Sequence, residues 1–198
     1  MDWLAWPGAL LRVSERVTYM AMKRQFFNDA GHAHYLTFSC FHRQQLLTDD
    51  NIRMWFIQSV NQVKKQFSFK LWAWVIMPEH VHLLLCPEEN QYSISRIQQS
   101  IKGPFARRVI TYWREHSPHR LIPLRVKSGK RISHRLWQAG GGFDRNLYKM
   151  DRVIKAIEYI EYNPVRRGLA SVSTEWRWSS ARAHNGICEF PLNIDLLD

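Results

Sequence analysis

With 198 residues, 45% hydrophobic and 23% charged, the chain holds enough apolar material for one compact domain and is too short for two independent ones. Its 28 Lys and Arg against 17 Asp and Glu give a net charge of +11, which attracts polyanions, whether nucleic acid or an anionic membrane surface. No apolar run approaches the ~20 residues of a spanning helix, residues 1–11 lack the basic start of a signal peptide, and Cys40, Cys86 and Cys188 are too scattered for a disulfide framework or a zinc motif. A cytoplasmic protein working in a reducing compartment, off the membrane, is the expectation.

Residues 1–28 mix Trp3, Trp6, Pro7 and Gly8 with charges and show no period, so they read as an appendage to a domain over 29–182, with 183–198 as a tail. Large apolar residues alternate with small or polar ones over 34–41, as in a strand. Asp49, Asp50 and Asn51 supply caps for a helix in which Ile52, Trp55, Phe56, Val60, Val63 and Phe67 recur at helical spacing. The nearly unbroken apolar run 69–77 suits a central strand; Pro78-Glu79 turns the chain, and 80–86 returns as its hairpin partner. A second helix begins at Ser93 or Ser95 and runs through Ile94, Ile97, Ile101 and Phe105, with a kink or break expected at Gly103-Pro104.

Residues 114–135 carry seven Lys and Arg and one acid, Glu115, in a stretch that Pro and Gly punctuate, and they read as a long basic loop. Residues 135–138 suggest a short fourth strand, Gly140-Gly-Gly142 suits no regular element, and 147–162 reads as a third helix stopped by Asn163-Pro164. The order strand, helix, strand, strand, helix, strand, helix predicts an α+β, ferredoxin-like (split βαβ) fold: an antiparallel sheet with helices on one face, plus an extra C-terminal helix.

On a strand, His80 and His82 project from one face while Val81, Leu83 and Leu85 enter apolar packing on the other. Paired neutral imidazoles can bind a divalent cation, although a His-x-His is more often structural, and a third ligand is required. In the third helix, with Met150 as origin, Val153, Ile154, Ile157 and Ile160 form an apolar stripe, and Tyr159 falls about 180° from the origin. Tyr159 therefore faces away from the stripe, Tyr162 at about 120° is its rival, and Asn163, one turn beyond Tyr159, can offer a carbonyl oxygen to a metal.

The run from Trp72 to Leu84 (WAWVIMPEHVHLL), followed far downstream by 159–169 (YIEYNPVRRGL) and 176–180 (WRWSS), resembles the REP-associated tyrosine transposases, relatives of the single-tyrosine insertion-sequence transposases. The resemblance runs from about residue 24 to 182; it leaves out the first ~21 residues and 114–135, and Gly140–Gly142 departs from its pattern. It implies a ferredoxin-like core, His80 and His82 as the histidines of an HUH metal site, and Tyr159 as the helical nucleophile.

The implied reaction is cleavage and rejoining of single-stranded DNA hairpins, such as REP-like repeats, through a 5′-phosphotyrosine, with Mg²⁺ or Mn²⁺ held by His80, His82 and Asn163. Candidate phosphate contacts are Lys102, Arg107, Arg108, Arg125, Lys127, Lys130, Arg131, Arg166 and Arg167. The sequence leaves open monomer or homodimer, a noncatalytic nucleic-acid-binding descendant of such an enzyme, and a structural role for the histidines.

Overall fold

A computed structural model describes residues 28–187 and 191–197. The expected appendage, 1–28, thus lies outside the described residues except for Asn28, as does Cys188. Strands β1 (Ala33–Ser39), β2 (Phe69–Ile76) and β3 (His80–Pro87) and helices α1 (Asp50–Phe67) and α2 (Ile94–His116) follow the predicted order. A small hairpin, β4 (Arg125–Ser128) and β5 (Arg131–His134), then precedes β6 (Phe143–Leu147), α3 (Met150–Arg166) and a short α4 (Ala181–His184).

β2, β3, β1 and β6 lie side by side in that order, every pair antiparallel, which is the split βαβ arrangement. Asp49 caps α1 by accepting from the backbone N–H of Asn51 and Ile52 at 2.8 and 3.3 Å. Helices α1 and α2 bury Phe56, Val60, Ile97, Ile101 and Phe105 against Leu36, Phe38, Val81, Leu83 and Leu85 on one face of the sheet. On the other face, Val153, Ile157 and Ile160 of α3 pack on Ala33, Ala73, Val75 and Leu84.

Several boundaries differ from the sequence reading. The fourth strand is 143–147, whereas Trp137 makes only a single bridge, to Cys40. β6 is an edge strand whose sequence FDRNL buries Leu147 alone, so it carries no alternating apolar signal. Gly142 explains the glycine run: at φ +79 a Cβ there would sit 2.1 Å from the Thr37 carbonyl oxygen, so only glycine lets the chain enter the sheet beside β1.

α2 passes through Gly103-Pro104 unbroken, its stripe Ile97, Ile101, Phe105, Val109 and Trp113 buried on both sides of the proline. Pro104 is exposed and gives up one backbone bond, a cost this packing outweighs. α3 starts at Met150, since Leu147 belongs to β6, and continues past Pro164 to Arg166. It ends where Gly168 takes φ +66 and the Leu169 N–H bonds the Pro164 carbonyl at 2.9 Å.

The basic stretch 114–135 is not a loop. It holds the end of α2, a 3₁₀ turn (Pro118–Leu124) anchored by buried Leu121 and Leu124, and the β4–β5 hairpin, whose Gly129 takes the left-handed conformation its two-residue turn requires. Nor do the described parts of 183–198 hang free. The Asp195 N–H donates to the Leu71 carbonyl at 2.8 Å, the Leu71 N–H donates to Asp195 Oδ2 at 2.6 Å, and Leu192 is buried.

Candidate active site

The site begins with the register of β3. Pairing sets His82 opposite Thr37 of β1 and Val75 of β2, on the face that α3 covers, while Val81, Leu83 and Leu85 fill the core beneath. His82 is 5% exposed. Its Nδ1 lies 2.8 Å from Thr37 Oγ1 and 3.0 Å from the Tyr35 hydroxyl oxygen, and the Tyr35 ring stacks on it with centroids 5.4 Å apart.

Nδ1 of His80 donates to Glu79 Oε1 at 3.2 Å; a carboxylate only accepts, so the proton of the neutral ring sits on Nδ1 and the lone pair on Nε2. The Nε2 atoms of His80 and His82 face each other at 3.0 Å, with the rings nearly perpendicular at 83°. Burial holds the pKa of His82 well below the usual histidine value, and the neighbouring His80 and Arg166 add to the effect. Burial lowers His80 as well, Glu79 opposing it and Arg167 and Arg43 reinforcing it. Both rings are therefore neutral near pH 7, with ligating lone pairs available.

α3 supplies the other side. Asn163 is 5% exposed and its Nδ2 lies 3.2 Å from His82 Nε2. The Tyr159 ring is 6.0 Å from the His82 ring and 6.2 Å from the Tyr35 ring, and the Arg166 guanidinium lies 4.9 Å from the Tyr159 ring centroid. His80, His82, Asn163 and Tyr159 are thus brought to one place.

Tyr159 does not face directly away from the apolar stripe as expected. Met150 and Ile154 are exposed, and the buried face runs through Val153, Ile157, Ile160, Asn163 and Pro164. Recentred on those residues, Tyr159 sits on the flank, about 110° away, against the sheet, and Tyr162 lies nearly opposite. Tyr162 is 54% exposed, whereas Tyr159 is half-buried beside the histidines.

The basic candidates divide. Arg166 and Arg167 lie at the site, Arg167 paired with Glu79 at 3.0 Å. Lys102, Arg107 and Arg108 lie on α2, across the sheet from the histidines; Lys102 donates to the Gly140 carbonyl at 3.0 Å, and Arg108 donates to Gln58 Oε1 at 2.7 Å while stacking on Trp55. Arg125, Lys127, Lys130 and Arg131 are exposed on the β4–β5 hairpin. Sequence reasoning missed Tyr35, Thr37 and Glu79. The signal for the first two was the alternation of β1, which sets 35 and 37 on the side away from the Leu36 and Phe38 core.

Among the described residues no three His, Cys, Asp or Glu side chains gather to hold a metal, and the amide of Asn163 lies beside the two histidines. Nor is any described helix long and apolar enough to cross a membrane.

The IS200-like transposases are the class the chain resembles: their family model matches residues 30–121, which hold β1 to β3 and the paired histidines. More particularly, the chain is similar to the REP-associated tyrosine transposases, as its motifs implied. It is 27% identical over 126 residues to a protein of that name from Haemophilus influenzae (strain ATCC 51907 / DSM 11121 / KW20 / Rd), a stretch covering 63% of this chain and 66% of that one. It also shares the fold of a REP-associated tyrosine transposase solved bound to a REP hairpin, with a TM-score of 0.63 and 20% identity over 90% of this chain and 94% of that chain.

Proposed function

We propose that this protein is a transposase that cuts and rejoins single-stranded DNA hairpins, with Tyr159 as nucleophile and a divalent cation, Mg²⁺ or Mn²⁺, held by His80, His82 and Asn163. The observation that carries the reading is the 3.0 Å approach of two Nε2 atoms beside a buried amide and a half-buried tyrosine.

The donor set fits such an ion. Two ligands about 2.1 Å from one cation and at right angles stand about 3.0 Å apart, against about 3.4 Å in a tetrahedral site. With its amide turned, Asn163 presents Oδ1, a hard oxygen donor, where Nδ2 now points. The cation would supply charge to a scissile phosphate. Glu79 on His80, and Thr37 with Tyr35 on His82, direct each Nε2 lone pair inward.

Tyr159 Oη attacks phosphorus, the bond to the 3′ oxygen breaks, and the products are a 5′-phosphotyrosine and a free 3′-OH. Attack by another 3′-OH reverses the exchange and joins strands, so no nucleotide hydrolysis is required. Arg166, beside Tyr159, is placed to offset phosphate charge. The REP hairpin bound to the structurally similar transposase supports a DNA hairpin as substrate.

The test is incubation of the protein with labelled hairpin DNA and Mg²⁺ or Mn²⁺, followed by denaturing electrophoresis. A covalent adduct is expected, lost in Tyr159→Phe and kept in Tyr162→Phe. An adduct undiminished by Tyr159→Phe sinks the assignment.

A further inference from the structure

A groove of about 1020 Å³ runs along α2 on the face of the sheet away from the histidines, closed on its far side by residues 134–141. Arg96, Arg107 and Arg135 line it, and none of its lining residues is acidic. The chain around it has the same bias, since no Asp or Glu occurs between Glu115 and Asp144. A lining that carries three arginines and no acid has a positive field that attracts a polyanion.

Gln98 borders this groove. It is 2% exposed and falls in the core-facing stripe of α2, yet neither its side-chain Nε2 nor its Oε1 has a hydrogen-bond partner. A buried amide left unpaired is costly and calls for an occupant that brings both an acceptor and a donor. The edge of a nucleobase brings both, and glutamine meets it through two parallel bonds. Both amide atoms are closed off in this conformation, so an occupant meets them only when the Gln98 side chain turns toward the groove; a base inside a duplex is recessed between two backbones and cannot follow it there, whereas an unpaired base can.

We infer that this groove is a second DNA track, receiving an unpaired strand with its phosphates on Arg96, Arg107 and Arg135 and one base edge on Gln98, on the reverse of the sheet from His80 and His82. The inference rests on the reading of the protein as a DNA strand transferase, but its test is separate.

Binding is measured by fluorescence anisotropy with the full Tyr159→Phe chain in EDTA, so that neither cutting nor a metal contributes. The probes are an unstructured 12-nucleotide single strand of mixed sequence and a 12-base-pair duplex. Arg96→Ala/Arg107→Ala, two exposed positions, should lower the slope of log affinity against log salt for the single strand by about 1.4. Gln98→Leu should weaken the single strand by about 5- to 10-fold and leave the duplex unchanged. Single-strand affinity and salt slope unchanged in both variants would overturn the inference, as would a Gln98→Leu protein that melts higher and binds as before, the signature of a water-filled cavity. Adduct formation by the unsubstituted protein reports on cutting alone, so either reading can fail without the other.

Discussion

Glu79→Gln is the sharpest perturbation of the proposed metal site, because it removes one charge and none of the proposed ligands. Glu79 is buried at the β2–β3 turn, and its backbone carbonyl accepts from Cys40 N–H at 2.8 Å, a bond glutamine keeps. The loss is the charge at Oε1, which accepts from His80 Nδ1 at 3.2 Å and pairs with Arg167 at 3.0 Å. Partners of metal-bound histidines typically contribute 10- to 100-fold in metal affinity, about 1.4 to 2.7 kcal/mol. At 3.2 Å the bond is longer than a strong charge-assisted one, and glutamine still offers a neutral acceptor. The expected loss is therefore near the lower end, about 10-fold, with Glu79→Ala losing more.

Arg167 is 52% exposed, so solvent screens its pair with Glu79, and Arg167→Ala should change metal affinity by less than about 5-fold. The assay is adduct yield titrated with Mn²⁺: Glu79→Gln should shift the midpoint upward while saturating metal restores the yield. An unchanged midpoint would refute the account of His80 orientation, and a yield that metal cannot restore would move Glu79 from positioning to chemistry.

Asn163→Ala should raise the Mn²⁺ requirement at least ~10-fold without weakening metal-free DNA binding, measured by the same titration and by anisotropy in EDTA. Gly142→Ala forces a Cβ against the Thr37 carbonyl at a positive φ and should cost at least ~3 kcal/mol in urea unfolding. His82 stays neutral in the fold because burial depresses its pKa, whereas the unfolded chain takes up its proton near pH ~6.5. Metal-free stability should therefore be at its full value above that pH and decline below it toward the depressed folded value. Urea midpoints between pH 7.5 and pH 5.5 should fall less in His82→Gln than in the unsubstituted protein, and equal falls would contradict this.

The histidine pair was legible because a strand repeats every two residues and its apolar members Val81, Leu83 and Leu85 fix which face is core. Helix phase was legible only coarsely. Met150 and Ile154 are apolar but exposed, and counting them rotated the inferred face enough to set Tyr159 opposite the sheet instead of on its flank. The fourth strand hid because an edge strand that buries only Leu147 satisfies β6 without alternation. The partners of His82 were out of reach for a different reason. Thr37 and Tyr35 meet it through the β1–β3 register, a pairing across some 45 residues that local patterning does not encode.

The outer side of β2 is taken up by the chain's own later segments. Ile76 N–H bonds the Trp178 carbonyl at 2.8 Å, Trp74 N–H bonds Ser180 Oγ at 3.1 Å, and Leu71 exchanges bonds with Asp195. Among the described residues, strand-to-strand extension of the four-stranded sheet is thereby left to its β6 edge. Two copies meeting through β6 would form a closed, two-fold pair with both far ends already occupied, so growth would stop at two rather than propagate into a fibre.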